Sequence, residues 1–149
     1  MKEELEKRLI DRFPLFYRPN NYGANQERFG FECMNGYFDL IWKTSENIES
    51  VFKKYPIIYF ESFSIIQLKS KFRELRVYWS FDSDTLDKDV LVMIRSELFQ
   101  ITGDAEKESR TLCEVCGKKV TDAVINTTWY VKCLECAKKE QDEKQSSEI

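Results

Sequence analysis

Four cysteines near the C-terminus are arranged in two pairs of the form C-x-x-C. The pairs are Cys113/Cys116 and Cys133/Cys136, and sixteen residues separate them. This spacing is typical of a four-cysteine zinc ribbon, in which each short gap lets two sulfurs reach one metal from a tight turn. Gly117, directly after the first pair, suits such a turn because glycine tolerates positive φ. Four thiolates fill the tetrahedral coordination of zinc, so the predicted site is structural rather than catalytic.

Two redox dithiols or two disulfides are the alternatives to a metal site. A redox C-x-x-C normally opens a helix after a strand, whereas Cys113 is predicted to follow a helix. Disulfides are disfavoured in the reducing cytosol in which the chain is expected to reside. The fifth cysteine, Cys33, is predicted to be a buried, inert thiol, because a sequence without histidine offers no imidazole to activate it.

The charge balance and the apolar pattern restrict the classes of partner. The 149 residues include 23 Lys and Arg against 26 Asp and Glu, which gives a net charge of −3. Duplex DNA is disfavoured as a partner, because DNA-binding domains show a basic excess or a basic face. The N-terminus lacks the apolar region of a secretory signal, and no apolar run approaches the roughly 20 residues of a membrane helix. We therefore expect a cytoplasmic protein without membrane contact.

Helical periodicity predicts three helices. Apolar residues at spacings of three and four indicate helices over about 2–12, 35–54 and 84–109. Pro14 is expected to end the first helix, because the residue before a proline is pushed out of helical geometry. The expected N-cap of the third helix is one of three neighbouring residues, Asp82, Ser83 or Asp84.

The segment 57–81 is rich in β-branched and aromatic residues and lacks glycine and proline, which predicts strands. A chain reversal is expected near residues 71–74. The residues predicted to face the core from the two strands are Ile66, Leu68, Leu75, Val77 and Trp79.

These elements predict an α+β fold in which a small antiparallel sheet packs against two or three helices. The predicted division is a core domain over 1–110, the zinc ribbon over 111–138 and a disordered polar tail over 139–149. The insert between the cysteine pairs is expected to form a hairpin, with residues 126–128 at or near its tip. Such a hairpin is too small to be stable alone, so structural Zn²⁺ is expected to supply its folding energy.

A run of basic residues near the predicted reversal is the first candidate binding surface. Cations and one aromatic ring are predicted to point away from the core there. The candidate contacts to a small anionic ligand with a base, such as a nucleotide, are Lys69, Lys71, Arg76 and Tyr78. The alternative is a solvated sheet face with cross-strand ion pairs, since charge runs often serve solubility.

The aromatic loop after the first helix is the second candidate surface. Tyr17, Arg18 and Tyr22 lie in this loop, and loops of this kind often carry function. The alternative is that they pack as a lid over the core. Trp129 on the ribbon presents a similar choice between an exposed stacking surface and a cover for the metal site or the third helix.

The residue types disfavour catalysis. Histidine, the commonest general acid and base, is absent from the sequence. The sequence also contains no phosphate-binding loop, dinucleotide fingerprint or nucleophile elbow. We therefore expect no enzymatic activity, and hydrolysis through carboxylates alone is the remaining catalytic alternative.

An ordered set of motifs extends from residue 12 to residue 136. It comprises RFPLFYR, GFECMNGYFDLI, QLKSKFRELRVY, CEVCG and WYVKCLEC. The set resembles a group of small phage- and prophage-encoded proteins, mostly hypothetical, with runs such as F-E-C-G-D-G-W-F and K-E-K-F-G-x-L-R-F-Y. This sequence departs from the group where Arg73 replaces an expected turn glycine.

The resemblance implies a phage accessory protein in the host cytoplasm. Such a protein would act against host defence, by sequestering a nucleotide signal or by inhibiting a host protein. The ribbon suggests an alternative, a nucleic-acid-binding or transcription-modulating protein that uses the lysines around the metal. The five lysines in question are Lys118, Lys119, Lys132, Lys138 and Lys139. The sequence leaves homo-oligomerisation open.

Overall fold

The computed structural model describes residues 1–18, 30–120 and 129–147. Within these ranges the chain forms an α+β fold, as predicted, with five α-helices, three strands and one short 3-10 helix. The helices are α1 (Glu3–Arg12), α2 (Phe38–Phe52), α3 (Ile57–Glu61), α4 (Lys88–Ser109) and α5 (Leu134–Ser147). The strands are β1 (Phe31–Glu32), β2 (Phe63–Lys71) and β3 (Glu74–Phe81), and the 3-10 helix is Asn35–Tyr37. None of the helices in these ranges has the length and apolar character that crossing a membrane requires.

The three strands form one sheet in the order β1-β2-β3. β2 and β3 are antiparallel and pair from Phe63 with Phe81 to Lys71 with Glu74. β1 pairs parallel to β2, so the sheet is mixed and the purely antiparallel prediction is corrected. The reason is the connection between these strands, which passes through α2 and α3 and returns the chain in the same direction.

Three local predictions differ from the structure. The segment predicted to begin the strands forms the short helix α3, in which Pro56 occupies the N-cap and only Tyr59 is buried. A β-bulge between Ile65 and Gln67 places Ile65, instead of the predicted Ile66, in the core, because an extra residue reverses the alternation of side chains. Asp87 caps α4, since its carboxylate accepts the backbone N–H groups of the first turn.

The core lies between the sheet and the helices α2 and α4. Aromatic rings fill much of it, and Phe63 contacts Phe16 and Phe52 at centroid distances of 5.2 Å each. Phe81 lies 5.4 Å from Phe52, so rings from β2, β3, α2 and the segment after α1 meet at one place. This packing fixes the base of the β2–β3 hairpin.

Helix α4 also covers the outer edge of β3. The N–H of Leu75 donates to Ser109 Oγ at 2.8 Å, and the N–H of Val77 donates to Glu106 Oε1 at 3.5 Å. Both donors are on the strand edge that faces away from β2. Side chains of α4 therefore satisfy backbone groups that would otherwise invite pairing with another chain.

The turn between β2 and β3 consists of two residues in the left-handed region. Phe72 has φ 51° and Arg73 has φ 67°, and the reversal lies where it was predicted. Two-residue hairpin turns of this type are normally formed by Asn-Gly or Asp-Gly. A side chain in this region costs about 1–2 kcal/mol per residue. The turn is therefore strained because Phe72 and Arg73 occupy positions that glycine would adopt without steric cost.

The polar tail, for which disorder from residue 139 is predicted, forms helix α5 through residue 147. Glu140 pairs with Lys132 at 2.5 Å and with Lys144 at 3.4 Å. The first turn of α5 is anchored by the buried Ala137. The helix thus starts at the second cysteine pair and continues as a solvent-exposed extension.

Replacing Arg73 with glycine should raise the free energy of unfolding by about 1 kcal/mol, because glycine adopts positive φ without steric cost. Urea unfolding followed by circular dichroism measures this change. Lys71→Gly is the matched control, since Lys71 lies in β2 and glycine in a strand destabilises by roughly 0.5–1 kcal/mol. Equal destabilisation of the two variants would contradict the strained turn.

Candidate metal centre

The structure brings the four paired cysteines to one place. Their sulfurs all lie within 4.8 Å of one another, and Cys116 Sγ is 3.7 Å from Cys133 Sγ. All four are free thiols, so the pairs do not form disulfides. Tetrahedral zinc with bonds of 2.3 Å places its sulfur ligands about 3.8 Å apart. The arrangement is therefore suited to a single ion with four thiolate ligands.

The first cysteine pair is carried by a tight turn after α4. The N–H of Cys113 donates to Lys118 O at 2.8 Å, and the N–H of Gly117 donates back to Cys113 O at 2.8 Å. Gly117 adopts φ 76°, the conformation for which its glycine was predicted. These bonds aim both sulfurs of the pair at the same point.

The second cysteine pair lies at the start of α5. Cys133 directly precedes the helix, and Cys136 is in its first turn. The positive end of the helix dipole favours thiolates at this position. The sequence predicted a hairpin between the pairs, and half of that insert, residues 121–128, lies outside the described residues.

The electrostatic surroundings of the sulfurs favour a bound cation. Burial acts to raise the pKa of Cys113, but backbone N–H groups of Cys133, Cys116 and Val115 donate to its sulfur and lower the pKa to about 7. Burial, together with the other three sulfurs, raises the pKa of Cys136. Four thiolates this close repel one another, and a divalent metal would supply the compensating positive charge.

The metal segment, defined as residues 111–120 and 129–137, docks on the 3-10 helix through Gly36. The N–H of Gly36 donates to Glu114 O at 2.7 Å. A Cβ at this glycine would lie 2.1 Å from Cys113 O and 2.6 Å from Glu114 O, so no other residue fits. This contact joins the metal centre to the start of α2. Sequence reasoning missed it, because nothing in the local pattern identifies a backbone contact between such distant residues.

Glu114, which belongs to the metal segment, is fully buried. Its N–H donates to Val131 O at 2.9 Å, and its Oε1 accepts the N–H of Val131 at 3.3 Å. Burial raises the pKa of this carboxyl, while Ser70 and the Val131 N–H act in the opposite direction. Glu114 thereby joins the two stretches of the metal segment, and it is also the residue that contacts Gly36.

Cys33 lies in the core, apart from the metal-ligating set. Its side chain is buried, and burial raises its pKa to about 12. A thiol with this pKa is protonated at neutral pH and is a poor nucleophile. The structure thus places Cys33 in the surroundings that the inert-thiol prediction required.

The loop residues predicted to bind a ligand are engaged in structural contacts. Tyr17 is buried, and its hydroxyl lies 2.8 Å from Ser45 Oγ, so its ring is not available to a ligand. The Arg18 guanidinium donates to the backbone oxygens of Phe63, at 3.1 Å, and Glu61. It ties the segment after α1 to the junction of α3 and β2. Tyr22 lies outside the described residues.

The predicted contacts on the hairpin divide into two groups. Arg76 forms ion pairs with Glu74 and Glu106, so its charge is neutralised. Lys69 instead places its ammonium 5.1 Å from the centre of the Tyr78 ring, which is 41% exposed. We call Lys69 and Tyr78 the strand patch. It combines a cation and an exposed ring on the solvent side of the sheet.

The end of the hairpin carries an aromatic pair that sequence reasoning did not assemble. Phe72 and Trp129 stack at 5.5 Å and remain 55% and 56% exposed. The N–H of Arg73 donates to Trp129 O at 3.2 Å, and Lys71 Nζ lies 5.2 Å from the Phe72 ring centre. Of the two alternatives for Trp129, the structure shows the exposed ring. Phe72 was missed because it lies in the turn.

A groove of about 330 Å³ lies on the α5 side of Trp129. Its lysines are Lys132 and Lys144, and both form ion pairs with Glu140. The groove therefore offers little net positive charge, although its volume would accommodate a small ligand.

The zinc content of purified protein tests the metal centre. We expect one equivalent of zinc in the wild type and loss of most of it in Cys113→Ser, because a hydroxyl is a poor replacement for a thiolate ligand. Cys33→Ala is the matched control and should retain one equivalent. Equal zinc in the two variants, measured by elemental analysis, would refute the assignment.

Substitution of Gly36 tests the docking contact. Gly36→Ala should lower the free energy of unfolding by roughly 1–3 kcal/mol or more, because its Cβ would collide with the backbone of the metal segment. It should also speed zinc transfer to a chelator. Gly103→Ala is the control, since no atom lies within 4 Å of a Cβ there and alanine favours the helix. Similar thermal unfolding and chelation rates for both variants would show that the contact is unimportant.

Comparisons with known proteins provide no family for this chain. A scan against family models, a search of curated proteins and a search of solved structures each returned no match. The resemblance to phage-encoded proteins therefore stays a prediction.

Proposed function

We propose that this protein is a zinc-stabilised, non-catalytic binding protein whose ligand is a small anion that carries an aromatic base. The main support for this proposal is the strand patch, in which the Lys69 ammonium lies beside the exposed Tyr78 ring. A nucleotide presents the matching chemistry, because its phosphate pairs with a cation and its base stacks on an aromatic ring.

Zinc is the metal that best fits the cysteine site. Four thiolates in tetrahedral geometry select zinc or an iron–sulfur centre, and the sulfurs are close enough to share a single ion. With four protein ligands the ion has no position for a reacting water. Its role in this proposal is to fold the metal segment and to hold Trp129 beside the hairpin.

The absence of catalysis is part of the proposal. The sequence contains no histidine. The groups with raised pKa values outside the four metal ligands include Cys33, Tyr37 and Glu114, and all three are buried. They are unsuited to acid–base work on a ligand at the strand patch.

The resemblance to phage-encoded proteins suggests the setting for such binding. In a host cytoplasm, capture of a nucleotide would remove a defence signal, and the same surface could instead contact a host defence protein. The ribbon itself is the weaker candidate surface, because Lys118 is paired with Glu135 and Lys132 with Glu140. These pairs reduce the charge available for phosphates, which disfavours the nucleic-acid-binding alternative through the ribbon.

Calorimetry with the four ribonucleoside monophosphates tests the proposal. We expect measurable binding of at least one of them by the zinc-loaded wild type. Tyr78→Ala should weaken binding by about 5- to 150-fold, the factor expected for the loss of one base–aromatic stack. Lys69→Ala should weaken binding to an extent that depends on the salt concentration. Lys43→Ala, on the exposed face of α2, is the control and should bind like the wild type. Absence of heat from every nucleotide would remove the nucleotide ligand and leave protein inhibition as the function.

A further inference from the structure

The end of the β2–β3 hairpin carries two cations and two exposed rings beyond the strand patch. We define the hairpin-end surface as Lys71, Phe72, Arg73 and Trp129. Its two rings are stacked on each other and more than half exposed. No carboxylate of the described residues forms an ion pair with either of its cations, in contrast to the neutralised Arg76.

The backbone of this surface is strained at its two turn residues. Phe72 and Arg73 both adopt the left-handed region, where bulky residues are rare. Such strain persists only where the surrounding structure enforces it, and it clusters at binding sites. Here the N–H of Arg73 is held by Trp129 O, and the Phe72 ring is held by the indole.

The hairpin-end surface is continuous with the strand patch. Lys69 and Lys71 are two residues apart on β2 and therefore point to the same side of the sheet, about 7 Å apart. Lys69 contacts the Tyr78 ring, and Lys71 contacts the Phe72 ring. Rings and cations thus alternate along roughly 10 Å of strand between Lys69 and Phe72.

We propose that the hairpin-end surface is a second base subsite, so that the ligand carries at least two bases joined through phosphate. This inference rests on the proposed function and specifies its ligand. One base stacks on Tyr78, the other stacks on the Phe72–Trp129 pair, and Lys69, Lys71 and Arg73 face the linking phosphate. Alternating rings and cations are the pattern by which proteins bind strands of nucleotides without reading their sequence. A cyclic dinucleotide and a short linear strand share this chemistry.

Calorimetry of the zinc-loaded full chain with ligands of one base type tests the second subsite. The probes are AMP, the linear dinucleotide ApA, cyclic di-AMP and hexa-adenylate. We expect the two-base ligands to bind the wild type at least about tenfold more tightly than AMP, within the 5- to 150-fold range of one stacked base. Preference for cyclic di-AMP over ApA and hexa-adenylate would identify a cyclic signal, and the reverse order would identify a linear strand.

Variants separate the second subsite from the first. Phe72→Ala and Trp129→Ala should remove the advantage of two-base ligands and leave AMP affinity within about twofold. Arg73→Gly should weaken two-base ligands severalfold while the fold becomes more stable, which separates loss of binding from loss of folding. Phe99→Ala, which removes an exposed ring of α4, is the control and should retain the advantage.

Equal affinity of the wild type for AMP and the two-base ligands would overturn the second subsite and leave the proposed function intact. The same conclusion would follow if the advantage survived in both Phe72→Ala and Trp129→Ala. If none of these probes binds the wild type, the second subsite is overturned. The proposed nucleotide ligand is overturned as well only if none of the four ribonucleoside monophosphates binds.

Discussion

The convergence of four thiols within 4.8 Å is the constraint on which the placement of the metal segment depends. Few large apolar side chains of this segment are buried, and Val131 is the largest of them. Such a segment gains little from hydrophobic burial, so a metal cross-link is the available source of folding energy. Trp129 lies four residues before Cys133 in the sequence. Fixing the position of Cys133 in the metal centre therefore also restricts where the Trp129 ring can lie.

The metal centre is coupled to the rest of the fold at two points. Gly36 lies so close to the turn of the first cysteine pair that a methyl group on Gly36 would collide with the backbone of that turn. Arg73 donates its N–H to Trp129 O at the other side of the segment. The cage therefore joins the start of α2 to the end of the β2–β3 hairpin. A metal ion held by these cysteines would fix the position of Trp129 beside the hairpin without itself contacting a ligand.

Local patterns predicted the α+β class, the three longer helices of the core and the position of the hairpin turn, because each depends on residues close in sequence. They predicted the wrong structure where a single backbone event changes the pattern, as at the bulge beside Ile66 or at Pro56 before α3. They also could not identify Gly36 or Phe72 as residues that contact the metal segment. Both acquire their roles from partners in the metal segment, which is distant in sequence.

X-ray absorption at the zinc edge, on protein purified under reducing conditions, tests the central claim most directly. A tetrathiolate cage predicts one zinc ion per chain with four sulfur neighbours at about 2.3 Å and no nitrogen or oxygen in its first shell. A first shell with light-atom ligands at about 2.0–2.1 Å, or protein without bound metal, would contradict the account.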